Sequence, residues 1–187
     1  NFDDMLFNGS NQSAQLTSSD ALKFYNGTLS TWIKTSDTSG GYHGILVKQW
    51  AYSLFVSGGH LIAFDGNTSS NIDSGINVAD GTWHHVALTF QDRVTNGTTF
   101  YVDGVAVHTD TLTIGGQTEP LVVAEGGVGG GQNFSGEIDD ARIYNRALSA
   151  QEVNILYNTS SSAHVAVSPT GVLTNGLVGY WTLDGQD

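Results

Sequence analysis

The chain has 187 residues, six Lys plus Arg against 18 Asp plus Glu, a net charge of −12 and no cysteine. So acidic a surface argues against nucleic acid and against anionic membranes, where affinity comes from cationic side chains displacing counterions, and the lack of cysteine removes disulfides and thiolate metal centres. The length suits one sandwich domain plus an extension, no apolar run approaches the ~18 residues of a membrane helix, and sparse charge with 24 Gly and short bursts of β-branched and aromatic residues predicts an all-β fold with many turns.

The first strand-like stretch, MLFNGSNQSAQL over residues 5–16, contains an Asn8-Gly9 turn signal. In LSTWIK, Leu29, Thr31 and Ile33 share one face and read as core, while Ser30, Trp32 and Lys34 take the other. Turn signals then recur at Gly40-Gly41, Gly58-Gly59, Asp65-Gly66, Asp80-Gly81, Asn96-Gly97 and Asp103-Gly104, where Asn-Gly and Asp-Gly pairs supply the positive φ of tight hairpins. In HHVALTF, Val86, Leu88 and Phe90 form an apolar face opposite His85, Ala87 and Thr89, and in TFYVDG Phe100 and Val102 oppose Tyr101 and Asp103. The second faces together are expected to line one exposed sheet. A glycine-rich loop spans residues 126–131.

Ser149 followed by Glu152 has capping-box spacing and predicts a short helix, with Val153, Leu156 and Tyr157 packed on the sandwich. The polar stretch that follows, with its Ser168-Pro169 turn, reads as a linker. The segment GLVGYWTLDG, residues 176–185, is again strand-like.

Three stretches carry a family resemblance by their order and separation: GTWHHVALTF at 81–90, TTFYVDG at 98–104 and GEIDDARIYNRALSAQEV at 136–153. They resemble the laminin-G-like, concanavalin A-type jelly roll of bacterial surface and secreted proteins, and residues 5–16 and 28–37 resemble its early strands. The resemblance implies a two-sheet antiparallel jelly-roll sandwich with one short helix after the closing strand. One feature is displaced: the family's opening Gly-Leu-Val-x-Tyr-Trp-x-x-Asp strand is matched only by residues 176–185. The chain is therefore expected to comprise a jelly roll lacking its first strand over 1–158, a linker over 159–175, and over 176–187 a first-strand segment. That segment completes either this sandwich or a neighbouring copy, because an open sheet edge leaves costly unpaired backbone groups.

The resemblance also implies a structural calcium ion, with Asp139 as side-chain ligand, Gly9 through its carbonyl, Asp184 from the displaced strand, and Asn8 where the family usually has Asp. The alternative is that Asp139 and Asp140 end a strand and pair with Arg142 or Arg146. Glucanases of this general fold use Glu-x-Asp-x-x-Glu, and Glu137-Ile138-Asp139 copies its beginning with both carboxylates on one face. Arg142 stands where the third acid belongs, so no catalytic residue is assigned and the chain is not expected to be an enzyme. His84 and His85, adjacent on a strand, point to opposite faces and cannot chelate one ion together.

Pyranose rings stack on aromatic side chains, which makes Trp32, Trp50, Phe55, His85 and Tyr101 the expected carbohydrate-binding platform, with packing roles as the alternative. The functional expectation is a non-catalytic extracellular or cell-surface recognition or adhesion module, calcium-stabilised and part of a larger or repetitive protein, with a glycan or cell-surface ligand. Two other readings stand beside it: a structural protomer assembled with neighbouring copies by donating its C-terminal strand, and a carbohydrate-binding appendage of a polysaccharide-degrading enzyme.

Overall fold

Period-two alternation is realised as two antiparallel sheets packed face to face, in a computed structural model that describes residues 5–16, 20–66, 68–126, 132–162 and 173–183. One sheet sets side by side β1 (Met5–Asn8), β12 (Ser135–Tyr144), β3 (Asn26–Lys34), β8 (Trp83–Gln91), β9 (Thr98–Val102) and β10 (Val105–Asp110), with β13 (Leu177–Trp181) also paired to β12. The facing sheet runs β2 (Ala14–Leu16), β11 (Leu121–Val123), β4 (His43–Lys48), β5 (Tyr52–Ser57), β6 (His60–Asp65) and β7 (Ser70–Asn77). This is the predicted jelly-roll sandwich.

The core between the sheets takes the faces that the sequence marks as apolar: Leu29 and Ile33 from β3, Val86, Leu88 and Phe90 from β8, Phe100 from β9, and Leu54 and Leu61 from the facing sheet. Burial of each such side chain contributes about 1.5–3 kcal/mol. Phe24, Tyr52 and Phe90 stack in series, with ring centroids 4.8 Å and 5.4 Å apart. The Tyr52 hydroxyl, buried with them, donates to the Leu22 carbonyl at 2.9 Å, and burial raises its pKa well above the ordinary tyrosine value.

Two local irregularities position the outer faces. In β12 the pairing with β3 slips between Asp139 and Arg142, and Asp140 has φ of 52°. This bulge lets both Ile138 and Ala141 reach the core although two residues, Asp139 and Asp140, separate them. The capping box forms as predicted: the Ser149 N–H donates to Glu152 Oε2 at 2.8 Å and the Glu152 N–H to Ser149 Oγ at 3.3 Å. Arg146 grips Glu152 at 2.7 and 3.0 Å, and that hydrogen-bonded pair holds the Glu152 carboxyl down at about 2.

The helix α1 (Ala150–Ser162) continues past residue 158, into the stretch expected to be linker. In its polar tail Asn158 Nδ2 donates to the Asn154 carbonyl at 2.7 Å and Thr159 Oγ1 to the Ile155 carbonyl at 2.8 Å. The rest of the expected linker up to residue 172, with most of the glycine-rich loop, lies outside the described residues.

The displaced strand lies on the edge of β12, with Trp181 opposite Ala141 and Leu177 opposite Tyr144. The same edge carries β1, with Met5 opposite Ile138 and Asn8 opposite Ser135. Both run antiparallel to β12, so they form one lane, β13 leading into β1, fed from the two ends of the chain. Val178, Trp181 and Leu183 pack against the core from this lane.

Candidate functional site

The five aromatic and histidine candidates do not form one platform. Trp32, His85 and Tyr101 stand on the outer face of the seven-stranded sheet, as alternation dictates, but they are 9%, 1% and 5% exposed. Helix α1 covers them. Tyr157 stacks on Trp32 at 5.6 Å, and Val153 and Leu156 pack with Tyr101, Ala87, Tyr144 and Leu148 in a second apolar cluster. Thr28 fixes the chain entering the helix, its Oγ1 donating to the Arg146 carbonyl at 2.9 Å and accepting from the Leu148 N–H at 2.9 Å. The expectation of an exposed face here is corrected: the helix that the capping box predicts is what buries it.

Several polar groups on this face are paired internally, while Trp32 Nε1 and His85 Nδ1 are buried without a hydrogen-bond partner among the described residues. His85 Nε2 and Ser30 Oγ lie 2.9 Å apart, and burial, with the nearby Arg142 charge, pulls the imidazole down to about 4. Arg142 pairs with Asp140 at 2.8 Å and lies over the Tyr180 ring at 4.8 Å. Lys34 pairs with Glu137 at 2.9 Å and lies near the Trp83 ring. Glu137, the first acid of the glucanase-like run, is thus engaged in an ion pair along the sheet.

The proposed calcium ligands are not brought to one point. Asn8 and Gly9 sit at the Ser135 end of β12, whereas Asp139 lies beyond Ile138 at the other end of the β1 pairing. Four strand residues amount to ~13 Å, and a calcium ion needs oxygens at 2.3–2.6 Å. Asn8 Oδ1 accepts from the Ser10 and Asn11 N–H groups at 3.0 and 3.3 Å, and Asp139 Oδ1 from the Asp140 N–H at 2.6 Å. Asp184 lies outside the described residues. Among those described, no three His, Asp or Glu side chains cluster as metal ligands. Asn8 and Gly9 therefore do not share one ion with Asp139.

On the other outer face, that of the six-stranded sheet, no helix of the described residues lies over the strands. Val47, Phe55, Ile62 and Val122 project there as a third apolar cluster, flanked by Tyr42 and Phe64. A cleft of about 150 Å³ opens above it, lined by Tyr42, Trp50, Phe55 and Phe64 with Gln49 and Ser53 as polar neighbours. The rings meet edge to face: Tyr42 with Phe55 at 5.6 Å and 66°, Tyr42 with Phe64 at 6.0 Å and 84°, Trp50 with Phe64 at 5.9 Å and 65°. Phe55 forms the floor at 4% exposure and Trp50 the rim at 47%.

Trp50 is also conformationally unusual. It occupies the β4–β5 turn with φ of 65°, a left-handed backbone that bulky residues adopt at a cost of about 1–3 kcal/mol. The turn is pinned there because Gly66 and Gly115 pass so close to the Trp50 carbonyl that a Cβ on either would collide with it. On the opposite rim, the Tyr42 N–H donates to Gln132 Oε1 at 2.8 Å, and the Gly126 N–H to the Gln132 carbonyl at 2.9 Å. Both walls are thereby held before any ligand arrives.

Of the candidates read from sequence, Trp50 and Phe55 come together at the open cleft, whereas Trp32 and His85 meet at 5.5 Å beneath the helix. Tyr42, Phe64, Gln49 and Ser53 complete the cleft. Ser53 and Phe55 alternate in YSLFVS, as Ile62 and Phe64 do in HLIAFD, so that pattern marks them as one face. Nothing local to Tyr42, which precedes β4, says which sheet it leans on.

This architecture has a family. The chain belongs to the concanavalin A-like lectin/glucanase superfamily, its Laminin_G_3 model matching residues 8–154. Among solved structures, a protein of Bacteroides ovatus ATCC 8483 assigned to carbohydrate binding aligns with TM-score 0.72 and 20% identity, over 96% of this chain and 51% of its own. The present chain therefore spans about half of that protein. A native heptameric SAP-like pentraxin from Limulus polyphemus aligns with TM-score 0.63 and 20% identity, over 99% of this chain and 94% of that one. Domain 4 of the extracellular GH43 arabinanase AbnA from Geobacillus stearothermophilus, solved with arabinotriose, aligns with TM-score 0.60 and 21% identity over 81% and 75% of the two chains. At these identities the likeness is one of fold. No curated protein matches the sequence.

Proposed function

We propose that the chain is a non-catalytic carbohydrate-recognition module of a secreted or cell-surface protein, and that its ligand binds in the aromatic cleft of the six-stranded sheet. One observation carries the reading: Trp50 is a large aromatic, half exposed, held in a strained left-handed conformation on the rim of a cleft floored by Phe55. About half of the ring packs into the cleft, edge to face with Phe64, and the other half is left exposed at its mouth. An aromatic plane fixed in advance at a cleft mouth is what stacking on the apolar face of a sugar requires, because pre-organisation lowers the entropy lost on binding.

The non-catalytic part rests on the carboxylates. A retaining glycosidase needs two carboxyl groups ~5–5.5 Å apart and flanking its bond, an inverting one a wider pair. Among the described residues no Asp or Glu lines the cleft. Glu137 on the other sheet is tied to Lys34. The secreted or surface setting rests on the family and on the fold's occurrence in the extracellular arabinanase domain.

The test is a glycan array with the intact chain and its Trp50→Ala and Phe55→Ala variants. Binding by the wild type that drops at least tenfold in Trp50→Ala, with the melting temperature retained, is the expected result. Ligands whose binding is indifferent to both substitutions would place recognition elsewhere and end this reading.

A further inference from the structure

Resting on that reading, we infer that the cleft takes a single uncharged sugar ring and discriminates against uronic, sialic and sulfated sugars. Size comes first. At about 150 Å³ the cleft is well below the ~300 Å³ at which sites for larger, drug-sized ligands begin, so it holds one ring stacked on Trp50, and any further sugars of a chain would lie outside it.

Charge decides the rest. The sequence holds only six Lys and Arg, all among the described residues, and none of them lines the cleft. Lys23 pairs with Asp20 at 2.8 Å, Lys34 with Glu137 at 2.9 Å, Arg142 with Asp140 at 2.8 Å and Arg146 with Glu152 at 2.7 Å. Arg93 lies 3.9 Å from Asp92. Lys48 is on the strand beside the cleft, but it alternates with Val47 and Gln49, so its side chain leaves through the core face and its ammonium donates to the Glu119 carbonyl.

Among the described residues no charged side chain lines the cleft, and Asp73, opposite Ile62 on this face of the sheet, lies 3.2 Å from His60. A sugar carboxylate or sulfate entering the cleft would lose its water with no cation to replace it, and would approach a chain of net charge −12. The groups facing the ligand, the Gln49 amide and the Ser53 hydroxyl, suit sugar hydroxyls, which donate and accept alike.

The experiment compares matched probes on the intact chain by ligand-observed NMR, with Trp50→Ala as the control for site. The probes are methyl glucoside, galactoside and mannoside, each beside the corresponding methyl uronide. The expected result is Trp50-dependent binding of at least one neutral glycoside, its uronide at least tenfold weaker at low salt, with the gap narrowing at 0.5 M NaCl as repulsion is screened. A uronide that binds as well as or better than its neutral partner, through Trp50, overturns the charge selection but leaves the carbohydrate reading standing. If the array shows Trp50-dependent binding only to oligosaccharides and no methyl glycoside binds, the single-ring inference is overturned. If no sugar of any size binds through Trp50, the inference falls together with the reading beneath it.

Discussion

The two outer faces of this sandwich start from the same material, aromatic side chains in period-two register, and end differently. On the seven-stranded sheet Trp32, His85 and Tyr101 disappear under α1 and become a second core. On the six-stranded sheet Phe55 and Phe64 stay at the base of an open cleft with Trp50 standing over them. Alternation along a strand tells which residues leave the core, and it is silent about what lies above them. A helix on one side, and a strained turn with two close-packed glycines on the other, convert like patterns into packing and into a candidate binding site.

The largest effect expected from breaking this asymmetry comes from the covered face. Leu156 is 2% exposed beneath the helix, and Leu156→Ala should cost about 2–5 kcal/mol in a denaturant melt by leaving a cavity. If α1 were merely draped on the surface, the loss would be under ~0.5 kcal/mol and the face would count as open.

Acid offers a sharper probe of the same cover. His85, near Arg142 and Asp103, is held neutral by burial, with its pKa at about 4 against 6.5 for the free group. The unfolded chain therefore takes up this proton first as pH falls. Stability is complete above pH ~6.5, is lost progressively down to ~4, and the total loss from this group is about 3 kcal/mol. His85→Gln should flatten the stability profile in that window, and an unchanged slope would show that the imidazole is not buried neutral.

The smallest change in stability belongs to the open face. Trp50→Gly relieves the left-handed strain but adds backbone entropy to the unfolded chain and forfeits the half of the ring that packs on Phe64, so the melt should fall by only about 1–2 kcal/mol. Sugar binding should vanish. Loss of several kcal/mol instead would make Trp50 a core residue and erase the contrast between the faces.

The same division runs through what the primary structure discloses. The jelly roll, the inward set Leu29, Ile33, Val86, Leu88, Phe90 and Phe100, and the Ser149–Glu152 capping box were all legible, because strand alternation, turn chemistry and helix capping act over a few neighbouring residues. The displaced strand was legible as well, since unpaired backbone has to find a partner. Its actual place, in line with β1 on one edge of β12, was not.

Neither was the site. Trp32 and Trp50 look alike in sequence; only the path of α1, which places Tyr157 on one of them, and the approach of Gly66 and Gly115, which pins the other, tell them apart. The ligand geometry expected of Asn8, Gly9 and Asp139 failed for the same reason, since the register of β1 against β12 spreads them along a strand. Local chemistry determined the elements and their buried faces; contacts between residues far apart in the chain, which no short-range pattern encodes, decided which outer face is closed and which is free to bind.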